Sequence, residues 1–132
     1  MRFVDTSFWL ALQDRDDQHN VAARALAASG IGRVISSNHV VGEMFTLLRR
    51  RAGHAAAIGF VDQLDRLPGL EVVHVDEATE REAWRWLHRH DERPYSFVDA
   101  TSFSVMRRRR IREALAFDMD FTAAGFVEVR PS

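Results

Sequence analysis

Short apolar segments alternate along this chain with longer segments in which apolar side chains recur every three to four positions. The short segments begin near Phe3, Arg33, Leu70, Ala114 and Phe126, and their length is typical of buried strands. The longer segments have the spacing of helices that bury one face. Because helices separate the strands, the pattern predicts an α/β fold with a central parallel sheet of about four to five strands flanked by helices. We expect residues 1–132 to form one domain.

The helical spacing predicts six helices, over approximately residues 7–13, 18–29, 38–52, 54–67, 77–89 and 97–110. Polar residues of the types that cap helices stand before most of them. The predicted N-caps are Thr6 or Ser7, one of the acids in 14–17, Ser37 or Asn38, Asp76 and Ser96. Residues 118–125 are predicted to form a loop before the last strand, which we expect at the edge of the sheet.

Composition narrows the class of protein. Hydrophobic residues make up 46% of the chain and charged residues 28%, which is typical of a folded globular protein. There is no cysteine, so disulfides and thiolate metal sites are excluded. All 18 basic residues are arginine, and the absence of lysine excludes Schiff-base chemistry and a Walker-type phosphate loop. No segment has the length and apolarity of a membrane span, and we expect a cytoplasmic protein without a membrane partner.

Acidic residues stand where predicted strands end and where predicted helices begin. Asp5 follows the first strand, and Asp118 and Asp120 follow the fourth. Glu43 borders the apolar face of the third helix, and Asp99 lies in the first turn of the sixth helix among apolar neighbours. Because the carboxyl ends of parallel strands meet at one edge of a sheet, we expect these side chains to lie together there. Open α/β sheets bind their ligands at that edge.

Each acid also has a structural explanation when it is considered alone. Asp5 could cap the helix that follows it, and Glu43 could extend to water from the edge of a buried face. Ser96 and Asp99 have the spacing of a capping box. An Asp-rich turn accounts for residues 118–120.

The five acids together favour a metal site. Two carboxylates about 4 Å apart repel each other by roughly 4 kcal/mol at an effective dielectric constant of about 20. Several carboxylates in one pocket therefore need bound protons or a cation. Oxygen ligands without cysteine, and six histidines without metal-binding spacing, select Mg²⁺ or Mn²⁺ over zinc. A carboxylate pocket that holds Mg²⁺ commonly serves phosphoryl chemistry.

Four segments in this order resemble the PIN-domain ribonucleases. They are Val4-Asp5-Thr6-Ser7, Glu43 within a helix, Ser96-Phe97-Val98-Asp99-Ala100, and Ala116-Phe117-Asp118-Met119-Asp120-Phe121 followed by Gly125-Phe126. The resemblance covers essentially the whole chain, whose length is most similar to the VapC toxins of bacterial and archaeal toxin–antitoxin pairs. It implies a Mg²⁺-dependent endoribonuclease, able to use Mn²⁺, that hydrolyses RNA phosphodiester bonds with metal-activated water. It also implies a homodimer that is neutralised by a cognate VapB-type antitoxin.

The resemblance assigns roles to the acids and to the hydroxyls after Asp5. The implied catalytic metal ligands are Asp5, Asp99, Glu43 and, as the fourth acid, Asp118 or Asp120. The sequence does not choose between the last two. Thr6 or Ser7 would hydrogen-bond a ligating carboxylate and fix its orientation.

Arginine clusters close the third and sixth helices. The second cluster, Arg107, Arg108, Arg110 and Arg112, is predicted to contact RNA phosphates, where arginine supplies affinity without reading bases. Complementing the helix dipole at a solvated surface is the structural alternative. The net charge of −1 gives no support from bulk charge, so only such local patches indicate a nucleic-acid partner.

Two other functions fit a cluster of acids. One is a non-catalytic PIN-like module that binds RNA or protein without cleaving it. The other is a phosphohydrolase that acts on small phosphoesters, although the missing lysine and the missing glycine-rich phosphate loop argue against it. RNA cleavage that depends on Asp5 and Asp99 would separate the nuclease from both.

Overall fold

The structure, a computed structural model, describes all residues from 1 to 132. In chain order the elements are β1 (Arg2–Val4), α1 (Thr6–Gln13), α2 (Asn20–Ala28), β2 (Val34–Ser37), α3 (Asn38–Ala52), α4 (His54–Asp65), β3 (Leu70–Val73), α5 (Glu77–Arg89), α6 (Phe97–Arg109), β4 (Glu113–Leu115), α7 (Asp120–Ala123) and β5 (Val127–Glu128). Six helices lie where the apolar spacing predicts them, and the short α7 occupies a segment predicted as a loop. None of the helices has the length and apolarity needed to cross a membrane.

All the strands run parallel, in the order β3-β2-β1-β4-β5, which confirms the predicted parallel sheet and the edge position of the last strand. β1 is the central strand, with Phe3 paired to Ile35 of β2 on one side and to Ala114 of β4 on the other. Just beyond β1, the Asp5 N–H donates to the Leu115 carbonyl at 3.1 Å. Residues that follow β1, β2 and β4 are therefore gathered at one carboxyl edge of the sheet.

Helix α6 passes through the core, and every residue from 99 to 106 is buried. The ring of Phe103 packs edge-on against Phe121, with centroids 5.0 Å apart, and against Trp86, with centroids 5.1 Å apart. Because the helix is covered on all sides, its first turn holds Asp99 away from bulk water. A carboxylate placed there loses hydration that only other polar groups or a cation can replace.

Helix caps hold two of the acids in place, and some of the caps differ from those predicted. Three predicted caps are confirmed: Ser37, Asp76 and Ser96. The prediction that Thr6 or Ser7 caps α1 is wrong, because Asp5 itself is the N-cap and accepts a hydrogen bond from the Ser7 N–H. The acid at the end of the central strand thus also begins the first helix.

The acidic segment between α1 and α2 forms turns and does not supply the predicted cap of α2. Asp17 Oδ1 accepts from the His19 N–H at 2.7 Å, and no side chain caps the helix, which begins at Asn20. The Asn20 side-chain amide donates to the Ala11 carbonyl at 2.8 Å and ties the turn to α1. This arrangement brings His19 against Phe117, just beyond the end of β4.

Candidate active site

Asp5 is a buried carboxylate with two hydrogen-bond donors on one oxygen. Its Oδ2 accepts from the Ser7 N–H at 3.1 Å and from the Ser7 hydroxyl at 2.7 Å, and only 2% of the residue is exposed. Burial raises the pKa of Asp5, the Ser7 hydrogen bonds act in the opposite direction, and the charge of Glu43 raises it further. Its second oxygen accepts no hydrogen bond from a side chain.

Ser7 links the segment that follows β1 to the segment that follows β4 at the carboxyl edge of the sheet. Its hydroxyl donates to Asp5 and accepts from the Phe117 N–H at 3.0 Å. The orienting role expected of Thr6 or Ser7 therefore falls to Ser7. The Thr6 hydroxyl is buried without any hydrogen-bond partner, so the expectation that it orients a carboxylate is not supported.

Asp99 serves as a helix cap and also faces the other acids. It forms a capping box with Ser96, in which the Ser96 N–H donates to Asp99 Oδ2 at 2.9 Å and the Asp99 N–H donates to Ser96 Oγ at 2.9 Å. The residue is 8% exposed. Burial, followed by the charges of Asp5 and Asp120, raises the pKa of Asp99 to about 7. The capping box uses Oδ2 and leaves Oδ1 without a hydrogen bond.

The turn after β4 brings Asp118 and Asp120 to Asp99. One carboxylate oxygen from each of these three residues lies within 4.8 Å of the others. Asp118 is solvent-exposed as a residue, yet its carboxyl group lies against the other two. Desolvation of this carboxyl group raises the pKa of Asp118, and the negative charges of Asp5 and Asp120 raise it further.

Arg93 holds this turn and was not anticipated from the sequence. Its Nε donates to Asp120 Oδ1 at 2.6 Å, and its Nη2 donates to the Asp118 carbonyl at 3.1 Å. The Asp120 N–H in turn donates to Asp118 Oδ1 at 3.1 Å. Arg93 lies in a polar loop, 27 residues before its partner, and no spacing rule relates the two. The arginine engages the side chain of Asp120 but only the backbone of Asp118.

Glu43 is the most loosely placed of the five acids. It is half-buried on α3, and its charge raises the pKa of Asp5. Its carboxylate makes no hydrogen bond or ion pair with the protein, and it does not belong to the tight group formed by Asp99, Asp118 and Asp120. No contact within the protein therefore fixes the Glu43 carboxylate.

The donor set fits a divalent cation. Carboxylate oxygens are the hard ligands that Mg²⁺ and Mn²⁺ prefer, and neither cysteine nor histidine belongs to the group. The raised pKa values of Asp5, Asp99 and Asp118 share two causes, burial and repulsion by neighbouring carboxylates. A dication among these groups would relieve both.

The predicted RNA-binding arginines are not brought to the acids. Arg107, Arg108, Arg110 and Arg112 lie at or beyond the C-terminal end of α6, whose first turn carries Asp99. At about 1.5 Å per residue, the helix places them roughly 12 Å or more along its axis from that acid. Arg108 is also engaged by Glu82, with Nη2 2.9 Å from Oε1. Contact with RNA phosphates remains a prediction for these residues.

Comparison with known proteins assigns the chain to one family, which is consistent with its fold and its cluster of acids. The PIN domain model matches residues 2–127, and the chain belongs to this family. The chain is 55% identical over 131 residues to the 23S rRNA-specific endonuclease VapC20 of Mycobacterium tuberculosis, in strains CDC 1551 / Oshkosh and ATCC 25618 / H37Rv, with 99% of each chain covered. The expected class, an endoribonuclease of the PIN family resembling VapC toxins, is confirmed by these matches.

A solved structure supports the same relationship. The crystal structure of Mycobacterium tuberculosis VapC20, described as a Sarcin-Ricin loop cleaving toxin, superimposes with a TM-score of 0.93 at 53% sequence identity. The match covers 99% of this chain and 100% of that one. The two proteins therefore share the fold over their whole length.

Proposed function

We propose that this protein is a toxin of the VapC type, an endoribonuclease that requires a divalent cation and cuts 23S rRNA at the Sarcin-Ricin loop. The observation that carries the proposal is the meeting of Asp99, Asp118 and Asp120 within 4.8 Å beside the buried Asp5. Full-length similarity to a 23S rRNA-specific endonuclease supports the substrate. Since that substrate is ribosomal, the protein would act in the cytoplasm as one PIN domain.

Mg²⁺ is the cation we assign to this site, with Mn²⁺ able to replace it. Asp5, Asp99 and Asp118 would hold it, and Glu43 would complete the set from α3. When bound, the cation supplies polarisation of the scissile phosphate and a lowered pKa for an attacking water. Asp120 would contribute less directly, because Arg93 already neutralises its side chain.

The protein's own residues fix the geometry for this chemistry. Ser7 prevents the Asp5 carboxylate from rotating, since it donates to the same oxygen from its hydroxyl and from its backbone. The capping box does the same for Asp99. Ligands held in place by such neighbours bind a metal more tightly than free side chains do.

A VapB-type antitoxin and a second copy of the chain are the proposed protein partners. An apolar cavity of about 300 Å³, lined by Trp9, Leu12, Ile31, Leu67 and Pro68, is available for an apolar segment of the antitoxin. Co-expression with the product of an adjacent small gene, followed by size-exclusion chromatography, tests both partners.

The decisive test is metal-dependent cleavage mapped to a single position. Intact ribosomes and purified 23S rRNA are incubated with the protein in Mg²⁺, Mn²⁺ or EDTA, and new RNA ends are mapped by primer extension. We expect cleavage at the Sarcin-Ricin loop with either metal, none in EDTA, and at least about a hundredfold loss in Asp99→Asn. Asp62→Asn, an exposed acid of α4, is the matched control and should cleave normally. Cleavage that survives EDTA or Asp99→Asn would refute the proposal, and binding without cleavage would support the non-catalytic alternative.

A further inference from the structure

A shallow pocket adjoins the acids on the side of the α1–α2 turn. Its volume is about 180 Å³, and its lining includes Ser7, Asp17, Gln18, His19, Phe117 and Asp118. Two of these residues, Ser7 and Asp118, belong to the candidate active site. A group bound in the pocket would therefore lie beside the acids of the candidate active site.

A rigid aromatic stack forms one wall of this pocket. The imidazole of His19 lies flat on the ring of Phe117, with centroids 4.7 Å apart and planes 4° from parallel. Phe117 is held in turn by Phe8, at 6.1 Å between centroids, and by the Arg130 guanidinium, 4.7 Å from the ring centre. Phe117 is only 5% exposed whereas His19 is half-buried, so the imidazole is the accessible member of the stack.

The rim of the pocket offers hydrogen bonds beside this flat surface. The Gln18 side chain is exposed and makes no hydrogen bond within the protein, so its amide has a donor and an acceptor to spare. The Asp17 carboxylate already accepts from the His19 N–H at 2.7 Å, which fixes the turn that presents the imidazole. A planar ring with polar edges matches both features of the pocket.

We propose that this pocket binds an unpaired nucleobase of the RNA substrate, adjacent to the scissile phosphodiester, by stacking on His19 with its edge toward Gln18. Proteins recognise single-stranded RNA largely by stacking splayed bases on aromatic side chains, histidine included. The inference rests on the proposed ribonuclease function and adds a requirement: the nucleotide beside the cut must be unstacked from its neighbours. Its other possible occupant is a side chain of a protein inhibitor.

The test combines a change in the protein with a change in the RNA. Once the cleavage position is mapped, single abasic sites are placed at each flanking position of an RNA hairpin substrate. Wild type, His19→Ala, His19→Phe and the control His74→Ala, an exposed histidine after β3, are compared on every hairpin. We expect one abasic position to raise the wild-type KM about tenfold, in line with the loss of one stacked base. In His19→Ala we expect a KM that is already raised on the intact hairpin, and the same abasic site should raise it no further. His19→Phe and His74→Ala should respond to the abasic site as wild type does.

Three results would overturn the base pocket. Equal sensitivity of wild type and His19→Ala to every abasic site shows that no base uses His19. A fall in kcat and in thermal stability without the abasic pattern shows that His19 only anchors the turn to Phe117. Weaker binding of a protein inhibitor with unchanged KM for RNA assigns the pocket to that partner.

The same hairpins separate the failure of this inference from failure of the proposed function. Their affinity is measured by fluorescence anisotropy in EDTA, where no cleavage is required. An abasic effect on affinity that depends on His19 supports the pocket even if no hairpin is ever cut. Cleavage that depends on Asp99 but not on His19 or the bases beside the cut leaves the nuclease in place and removes the pocket.

Discussion

Arg93 and Asp120 form an ion pair in which Nε lies 2.6 Å from Oδ1, and the same guanidinium holds the Asp118 carbonyl at 3.1 Å. The pair distinguishes two acids that are indistinguishable in the sequence. The Asp120 carboxylate is already paired with the Arg93 guanidinium, whereas the Asp118 carboxylate accepts a hydrogen bond only from a backbone N–H. We therefore propose Asp118 as the fourth acid and Asp120 as the residue that anchors the turn.

This difference predicts unequal metal affinities for two matched variants. We expect Asp118→Asn to weaken Mn²⁺ binding at least about tenfold and Asp120→Asn to weaken it less, as measured by isothermal titration calorimetry. Once Arg93→Ala frees the carboxylate, Asp120→Asn should have a larger effect than it has in the wild-type background. If Asp120→Asn lowers Mn²⁺ affinity as much as Asp118→Asn does while Arg93 is present, Asp120 binds the metal despite its ion pair.

Ser7 and Thr6 offer a comparison between neighbouring hydroxyls. Ser7→Ala removes a hydrogen bond to Asp5 and leaves the buried Phe117 N–H without an acceptor, so we expect a loss of about 1–3 kcal/mol in the free energy of unfolding. We also expect a fall of about 10–100-fold in metal affinity or activity. Thr6→Val should be neutral or stabilising, because the hydroxyl it removes has no partner. Urea denaturation and metal titration of both variants test this, and equal effects of the two would contradict the assignment.

The raised pKa of Asp99 makes the metal-free protein less stable as pH rises. The unfolded chain releases the proton near pH 4, whereas the folded protein retains it up to a pKa of about 7. Between these values the folded state binds more protons, so the free energy of unfolding falls with increasing pH across that window. The stabilising contribution is fully present below pH 4 and lost above pH 7.

Urea denaturation in EDTA at pH 5 and pH 8 measures this dependence. We expect wild type to lose on the order of 1 kcal/mol or more beyond what Asp99→Asn loses, since the variant has no proton to release at that position. Asp62→Asn should follow wild type. A wild-type slope no steeper than that of Asp99→Asn would show that Asp99 is ionised at neutral pH without a metal.

The arginines at the end of α6 should affect RNA binding without affecting the chemical step. If Arg110 and Arg112 contact phosphates, the Arg110→Ala/Arg112→Ala variant should raise KM and lower the salt dependence of RNA affinity by roughly one unit of slope per lost contact. Their distance from Asp99 predicts an unchanged kcat. Anisotropy titrations across a salt series provide the measurement, and an unchanged slope would assign these residues to solvated surface.

The proximity of the acids could be predicted because their sequence positions are tied to elements of the fold. Asp5 and Asp118 follow parallel strands, and strand ends in such a sheet must meet. The capping roles of Asp5 and Asp99 are compatible with the metal-binding roles that we propose for them. Asp5 caps α1 and Asp99 closes a capping box, yet each carboxylate is close enough to other acids for their charges to raise its pKa.

The parts of the site that escaped prediction depend on long-range contacts. Arg93 reaches Asp120 through the fold, and nothing in the loop that carries it indicates a partner. The stack of His19 on Phe117 joins residues 98 positions apart. The turn that carries His19 contains the acids that the sequence predicts as the cap of α2, but no side chain caps that helix. The apolar spacing predicts helix α6, but it does not reveal that polar residues of this helix, Thr101, Ser102 and Ser104, are buried together with the apolar ones.

Direct observation of a bound metal tests the account most closely. A crystal of the protein soaked in MnCl₂ gives an anomalous difference map in which the anomalous signal identifies Mn²⁺ directly. We predict a peak about 2.0–2.2 Å from carboxylate oxygens of Asp5, Asp99 and Asp118, with Arg93 still paired to Asp120. A map with no peak among these residues, at a concentration of Mn²⁺ that supports RNA cleavage, would contradict the assignment of these acids as the metal site.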